Sequence, residues 1–98
     1  MGKYLLLWEM DNARTPVDPK ERGAQTQLLV AMVNQDMQKG KLKDWGAFVG
    51  EMNGYAVAEG TEVEISNMMQ QYIPFVIFKT RAVASVSQVD EIVKVLLG

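Results

Sequence analysis

The 98-residue chain has neither cysteine nor histidine. Without cysteine there is no disulfide framework and no thiolate site, and an unstapled domain of this size suits a reducing compartment, so the expected location is the cytoplasm. Without histidine the chain lacks the commonest metal ligand and the side chain most used as a general base near neutral pH. Zinc catalysis and haem ligation lose their usual residues, and neither a metal nor a cofactor is expected. An excess of basic charge is also missing: ten Lys and Arg against twelve Asp and Glu leave a net charge of −2, a poor match for a row of phosphates, so nucleic acid is not expected as a partner. Long apolar runs are absent near the start. The longest, Tyr4 to Trp8, is too short for a signal-peptide core or a membrane span, so no export or membrane insertion is expected. Acylation after Met1 would want Ser or Thr where the chain has Leu6.

What is present fits one domain, residues 1–98. A domain this small buries only roughly 60–65% of its unfolded surface, which favours covering by a partner chain. The run Lys3 to Met10, rich in leucine and aromatics and closed by Asp11-Asn12, reads as a buried first strand. Asp18-Pro19-Lys20-Glu21 then opens a long helix with an N-cap acceptor, a proline at the first helical position and an acidic first turn. Leu28, Leu29, Met32, Val33 and Met37 recur at helical spacing, and Gly40 stops the helix. Asp36 falls inside this apolar arc and is expected to leave for solvent through the last turn.

Leu42 to Glu51 and Tyr55 to Glu59 flank Met52-Asn53-Gly54, and an Asn-Gly pair between strand-like runs predicts a tight hairpin. Gly46 and Gly50 mark a bulge or a close backbone approach. Thr61 with Glu64 forms a capping box ahead of Ile65, Met68, Met69 and Tyr72, the stripe of a helix lying on a sheet. Pro74 ends that helix, Phe75 to Val86 reads as the last strand, and Ser87 with Asp90 caps a final helix striped by Val89, Ile92, Val93, Leu96 and Leu97. The fold class is therefore α+β: a ferredoxin-like βαββαβ sandwich plus a C-terminal helix, with the helices on one face of an antiparallel sheet.

Alternation in the last strand assigns Val76, Phe78, Thr80, Ala82 and Ala84 to the helix face, and Phe75, Ile77, Lys79, Arg81 and Val83 to the other. Small Ala56 and Ala58 suit close helix contact, which puts Tyr55, Val57 and Glu59 on the open face. A half-apolar sheet face on so small a domain marks an interaction surface, and a second copy of the chain is the expected partner. Two such faces about 10 Å apart would enclose a space lined by Tyr55, Glu59, Lys79 and Arg81, the candidate pocket for a small molecule. Lys79 and Arg81 would hold an anionic group there, with Tyr55, Trp8 and Trp45 as walls. Glu9 closes the first strand just before Asn12 and Arg14, and is expected either to pair with Lys79 or Arg81 across the sheet or to act as a base. Alternation alone leaves open whether Glu9 or Trp8 points inward.

In its order of elements, and most closely over Leu5 to Glu9, Tyr55 to Glu59 with the helix that follows, and Pro74 to Val83, the chain resembles the dimeric α+β barrel superfamily, above all its small members of unknown function. The resemblance implies a homodimer whose two sheets form a barrel. That fold serves isomerases, cofactor-independent monooxygenases, haem-handling enzymes and ligand sensors, and fold alone does not choose among them. The haem-handling branch relies on histidine, which is missing here. The monooxygenase branch shares tryptophan, asparagine and tyrosine, available as Trp8, Trp45, Asn12 and Tyr55. The expectation is a homodimer that binds a small, partly apolar or anionic molecule. The alternatives are an association module without ligand and a cofactor-independent isomerase or monooxygenase, and no residue pattern names a catalytic group. Gly54 to Glu59 is similar to the RNA-recognition strand that presents aromatics to bases. Asn53, Val57 and Gly60 stand where that motif has a basic residue and two aromatics, which argues against RNA.

Overall fold

In the computed structural model, which describes residues 2–98, the elements run β1 (Gly2–Met10), α1 (Pro19–Gln38), β2 (Leu42–Ala47), β3 (Asn53–Gly60), α2 (Glu62–Gln70), β4 (Val76–Val83) and α3 (Val86–Leu97). A single 3-10 turn, Asn12–Arg14, follows β1. Every strand pairing is antiparallel, in the order β2-β3-β1-β4. The chain is thus α+β, with one four-stranded antiparallel sheet and three helices, and its layout is compatible with the ferredoxin-like sandwich that the residue pattern predicts.

Local chemistry sets the element ends where the sequence places most of them. The Asp18 carboxylate accepts from the Glu21 amide at 3.1 Å with Pro19 as the first helical residue, so two of the amides left over at the start of α1 are dealt with. At the other end Gly40 takes φ 74°, the left-handed conformation that ends helices cheaply only at glycine. Thr61 and Glu64 cap α2 reciprocally, at 3.2 and 3.0 Å.

Three expectations are corrected. The β2–β3 connection is not a two-residue Asn-Gly turn: it runs through Phe48 to Met52, with Gly50 at φ 79°, and Asn53 and Gly54 already belong to β3. Gly54 is needed for space, because a Cβ there would run into the Gly46 carbonyl oxygen and come within 2.6 Å of the Trp8 ring. Gly46 likewise lies under the Tyr55 ring, whereas the register shift of β2 falls between Leu42 and Asp44. The last strand ends at Val83, and Ser85 with Gln88, not Ser87 with Asp90, makes the capping box of α3. The two serines offer the same spacing, and the chain uses the earlier one. Finally, Asp36 does not leave for solvent. It is 2% exposed, the only buried residue of α1.

The buried cluster comprises Leu6, Leu42, Ala56, Ala58, Ile65 and Met68, so β1, β2, β3 and α2 supply it, while α1 adds only the half-buried Val33. Small Ala56 and Ala58 let α2 approach the sheet closely. α3 packs on little: none of its residues is buried, and the molecule measures 60 × 26 × 20 Å.

Two glycine substitutions separate the effects of space and flexibility. Gly54→Ala is expected to cost about 1–3 kcal/mol through overpacking against backbone and indole. Gly23→Ala, inside α1 with nothing near its added methyl, is expected to gain about 0.5–1 kcal/mol from helix propensity. Urea denaturation of both variants reads the two signs directly.

Candidate functional site

Between α1 and the sheet lies a cavity of about 630 Å³, within the range of small-molecule sites. It exists because α1 is fastened mainly near its C-terminal end. There the Asp36 carboxylate accepts from the Tyr72 hydroxyl at 2.6 Å and from the Gln71 amide at 3.3 Å, tying α1 to the end of α2. The N-terminal half of α1 presents Arg22, Gly23, Thr26 and Gln27 to the space below. Those side chains are too small or too polar to fill it; Leu29, Val30 and Val33 line it only farther along the helix, and Leu28 points outward at 69% exposure.

The floor and walls are aromatic and thioether groups. Trp8 and Trp45 stack with ring centroids 5.3 Å apart and planes 7° from parallel. The Trp8 indole N–H donates to the Gly46 and Tyr55 carbonyl oxygens, both at 3.2 Å, which fixes the ring in place. Tyr72 meets Phe78 edge to face at 6.1 Å, and Met68 and Met69 complete that side. Arg22 and Glu51 supply the charged part of the lining. Burial first, then the hydrogen bond to Asp36 and its charge, push the Tyr72 hydroxyl well above its ordinary range. Tyr72 therefore stays protonated and donates its hydrogen bond to Asp36, as a tether should.

The opposite side of the sheet carries a second surface. The register settles the alternation of β1: Leu6, Trp8 and Met10 share the helix face with Ala56 and Phe78, and Lys3, Leu5, Leu7 and Glu9 share the open face with Tyr55, Val57, Glu59, Ile77, Lys79, Arg81 and Val83. Leu5, Leu7, Tyr55 and Val57 form a half-buried apolar centre. Lys79 and Arg81 lie on the β4 side, and Asp44 and Glu59 on the β2–β3 side. The Tyr55 hydroxyl donates to Asp44 at 2.8 Å, a bond that raises its pKa.

The eight candidate residues are thus not brought to one place. Trp8 and Trp45 line the cavity under α1, whereas Glu9, Tyr55, Glu59, Lys79 and Arg81 occupy the open face. Asn12 sits exposed in the 3-10 turn, beside Asp11, which caps Ala13 and approaches Arg14 at 3.9 Å. The expected Glu9 pairing with Lys79 or Arg81 is not made: Glu9 lies opposite Asn53 and Ile77, and Asp11–Arg14 is the only ion pair among the described residues. Sequence reasoning missed Asp36 and Tyr72 as a unit, although an acid inside an apolar helical arc was the visible signal. No group of three or more metal-ligating side chains converges among the described residues. The chain matches no protein-family model and no curated protein sequence.

Tyr72→Phe leaves the buried Asp36 with Gln71 alone and is expected to cost about 1–3 kcal/mol. The wild type carries a further signature. A folded-state pKa above the ordinary 10.0 means that the unfolded chain loses the Tyr72 proton first, so this stability is complete below about pH 10 and declines as pH rises beyond it. Unfolding free energies measured between pH 8 and 11 should fall less steeply in Tyr72→Phe than in wild type.

Proposed function

We propose that the chain acts as a homodimer of the dimeric α+β barrel type in which each subunit binds a small, largely apolar molecule in the cleft beneath α1. The observation that carries this reading is the cavity itself: about 630 Å³, walled by a stacked tryptophan pair whose Trp8 ring is fixed by two backbone carbonyls. A preformed aromatic wall loses little entropy on binding and favours a flat ligand that can lie against it. Arg22 and Glu51 give such a ligand a place for one polar end.

Binding is favoured over acid–base chemistry because the Tyr72 proton is committed to Asp36 rather than to the cavity. The half-apolar open face, with basic residues on one side and acidic ones on the other, supports pairing with a second copy. In this reading Tyr55, Glu59, Lys79 and Arg81 serve the pairing, and Trp8 and Trp45 serve the ligand.

Titration with 8-anilinonaphthalene-1-sulfonate, a flat apolar probe with one anionic end, tests the cleft. One saturable site per chain with quenching of tryptophan emission is expected. Thr26→Phe, which adds bulk to the cavity from the exposed helix above it, should weaken that binding at least tenfold with the unfolding transition unchanged. Unsaturable binding, or binding indifferent to Thr26→Phe, would remove the cleft as the site.

A further inference from the structure

α3 is a well-made helix with little to pack on in its own subunit, where Ile92 and Val95 only line an open crevice beside Tyr4 and Val83. Ser85 and Gln88 cap it reciprocally at 3.2 and 2.7 Å, and Val86, Val89, Val93 and Leu96 recur at the spacing of a single apolar stripe. Yet every residue of the helix is exposed, Val86 and Leu96 at 81% each. The body of the same subunit therefore covers little of it. We infer that α3 is an exchanged arm that packs on a second copy of the chain, against the turn between α1 and β2. This inference rests on the pairing of open sheet faces proposed above and specifies its geometry.

The charge layout of the open face chooses how two copies meet. A two-fold axis lying between the sheets and across the strands would set β4 on β4, with Lys79 and Arg81 against their own copies. An axis along the strands sets β4 and β1 of one subunit over β2 and β3 of the other, so Arg81 comes level with Asp44 and Lys3 with Glu59 across the pair. The second arrangement is the self-complementary one. It also keeps strand ends together. The Val83 end of β4, from which α3 departs after only Ala84 and Ser85, then lies beside the Leu42 end of the partner's β2.

That end carries Lys39, Lys41 and Lys43, all exposed and none in an ion pair among the described residues, next to Met37 in the last turn of α1. α3 brings Asp90 and Glu91 beside its apolar stripe, also without an ion pair. Charge and apolar surface on the arm thus find their complements at the place the symmetry delivers it.

Area makes the same demand. Four strands about 4.8 Å apart and about eight residues long, at about 3.4 Å per residue, give a face of roughly 500 Å². Stable pairs bury about 800 Å² per partner. A twelve-residue helix, about 18 Å long, adds roughly 200 Å² on itself and as much again where it docks, which brings each subunit to the usual size.

Sedimentation velocity on full-length variants tests this. Wild type is expected to be a dimer at micromolar concentration. Val93→Glu, which alters a residue 41% exposed in the subunit alone, should weaken the dimer at least tenfold without lowering the melting temperature of the monomer. Lys41→Glu and Glu91→Lys should each weaken it several-fold, and the two together should restore it. A monomeric wild type would overturn the pairing and this inference with it. A wild-type dimer that tolerates Val93→Glu unchanged would overturn the exchanged arm and leave the pairing standing. Weakening by Val93→Glu with no mutual rescue of the charge swaps would refute the docking place at the α1–β2 turn.

Discussion

A four-stranded sheet has two faces, and this chain carries helix enough to close less than one of them. α2 is short and sits tightly on Ala56 and Ala58, α1 is long but pinned at one end by Asp36, and α3 buries none of its residues on the body. The buried cluster is accordingly thin, Leu6, Leu42, Ala56, Ala58, Ile65 and Met68 from β1, β2, β3 and α2. Everything functional that we infer follows from that shortage: the cleft is the part of the helix face that α1 fails to fill, and the open face with its departing helix is the part that a second subunit completes. A small domain with so little buried surface has little stability to spare, and burial against a twin would add to it by mass action.

The two surfaces are separated by one layer of backbone, and Tyr55 touches both. Its carbonyl oxygen accepts the Trp8 indole N–H on the cleft side, while its ring lies on the open side with its hydroxyl on Asp44. Gly46 and Gly54 are the spacers of this arrangement, one clearing room for the Tyr55 ring and the other for the Trp8 ring. The rigidity of the tryptophan wall therefore depends on the same stretch of β2 and β3 that carries the acidic side of the open face. A partner resting on Asp44 and Tyr55 would steady the wall from behind.

Much of this was legible in the residues because it rests on local chemistry. The caps at Asp18 and Thr61, the stop at Gly40 and the two-residue alternation of β3 and β4 each arise from a few neighbouring side chains, and each reads correctly. Errors fall where a distant group decides. Asn53-Gly54 has the composition of a tight turn, but its glycine is there for the ring of Trp8, forty-odd positions earlier. Asp36 has the look of a frayed end until Tyr72, from the far side of α2, closes on it. The helical stripe of α1 predicts a packed helix, and only the three-dimensional placement of Gly23, Thr26 and Gln27 shows that it stands off. The candidate site divides for a local reason: Trp8 and Glu9 are adjacent in sequence, and adjacency in a strand means opposite faces.

The central claim is that the open face is shielded by a twin subunit. Isotope-filtered nuclear Overhauser spectra on a mixture of labelled and unlabelled chains address it most directly, through the methyl groups of Leu5, Leu7 and Val57. Cross-peaks from those methyls to the other subunit are what the pairing requires. Methyls that show contacts only within their own chain, together with cross-peaks to water, would contradict it.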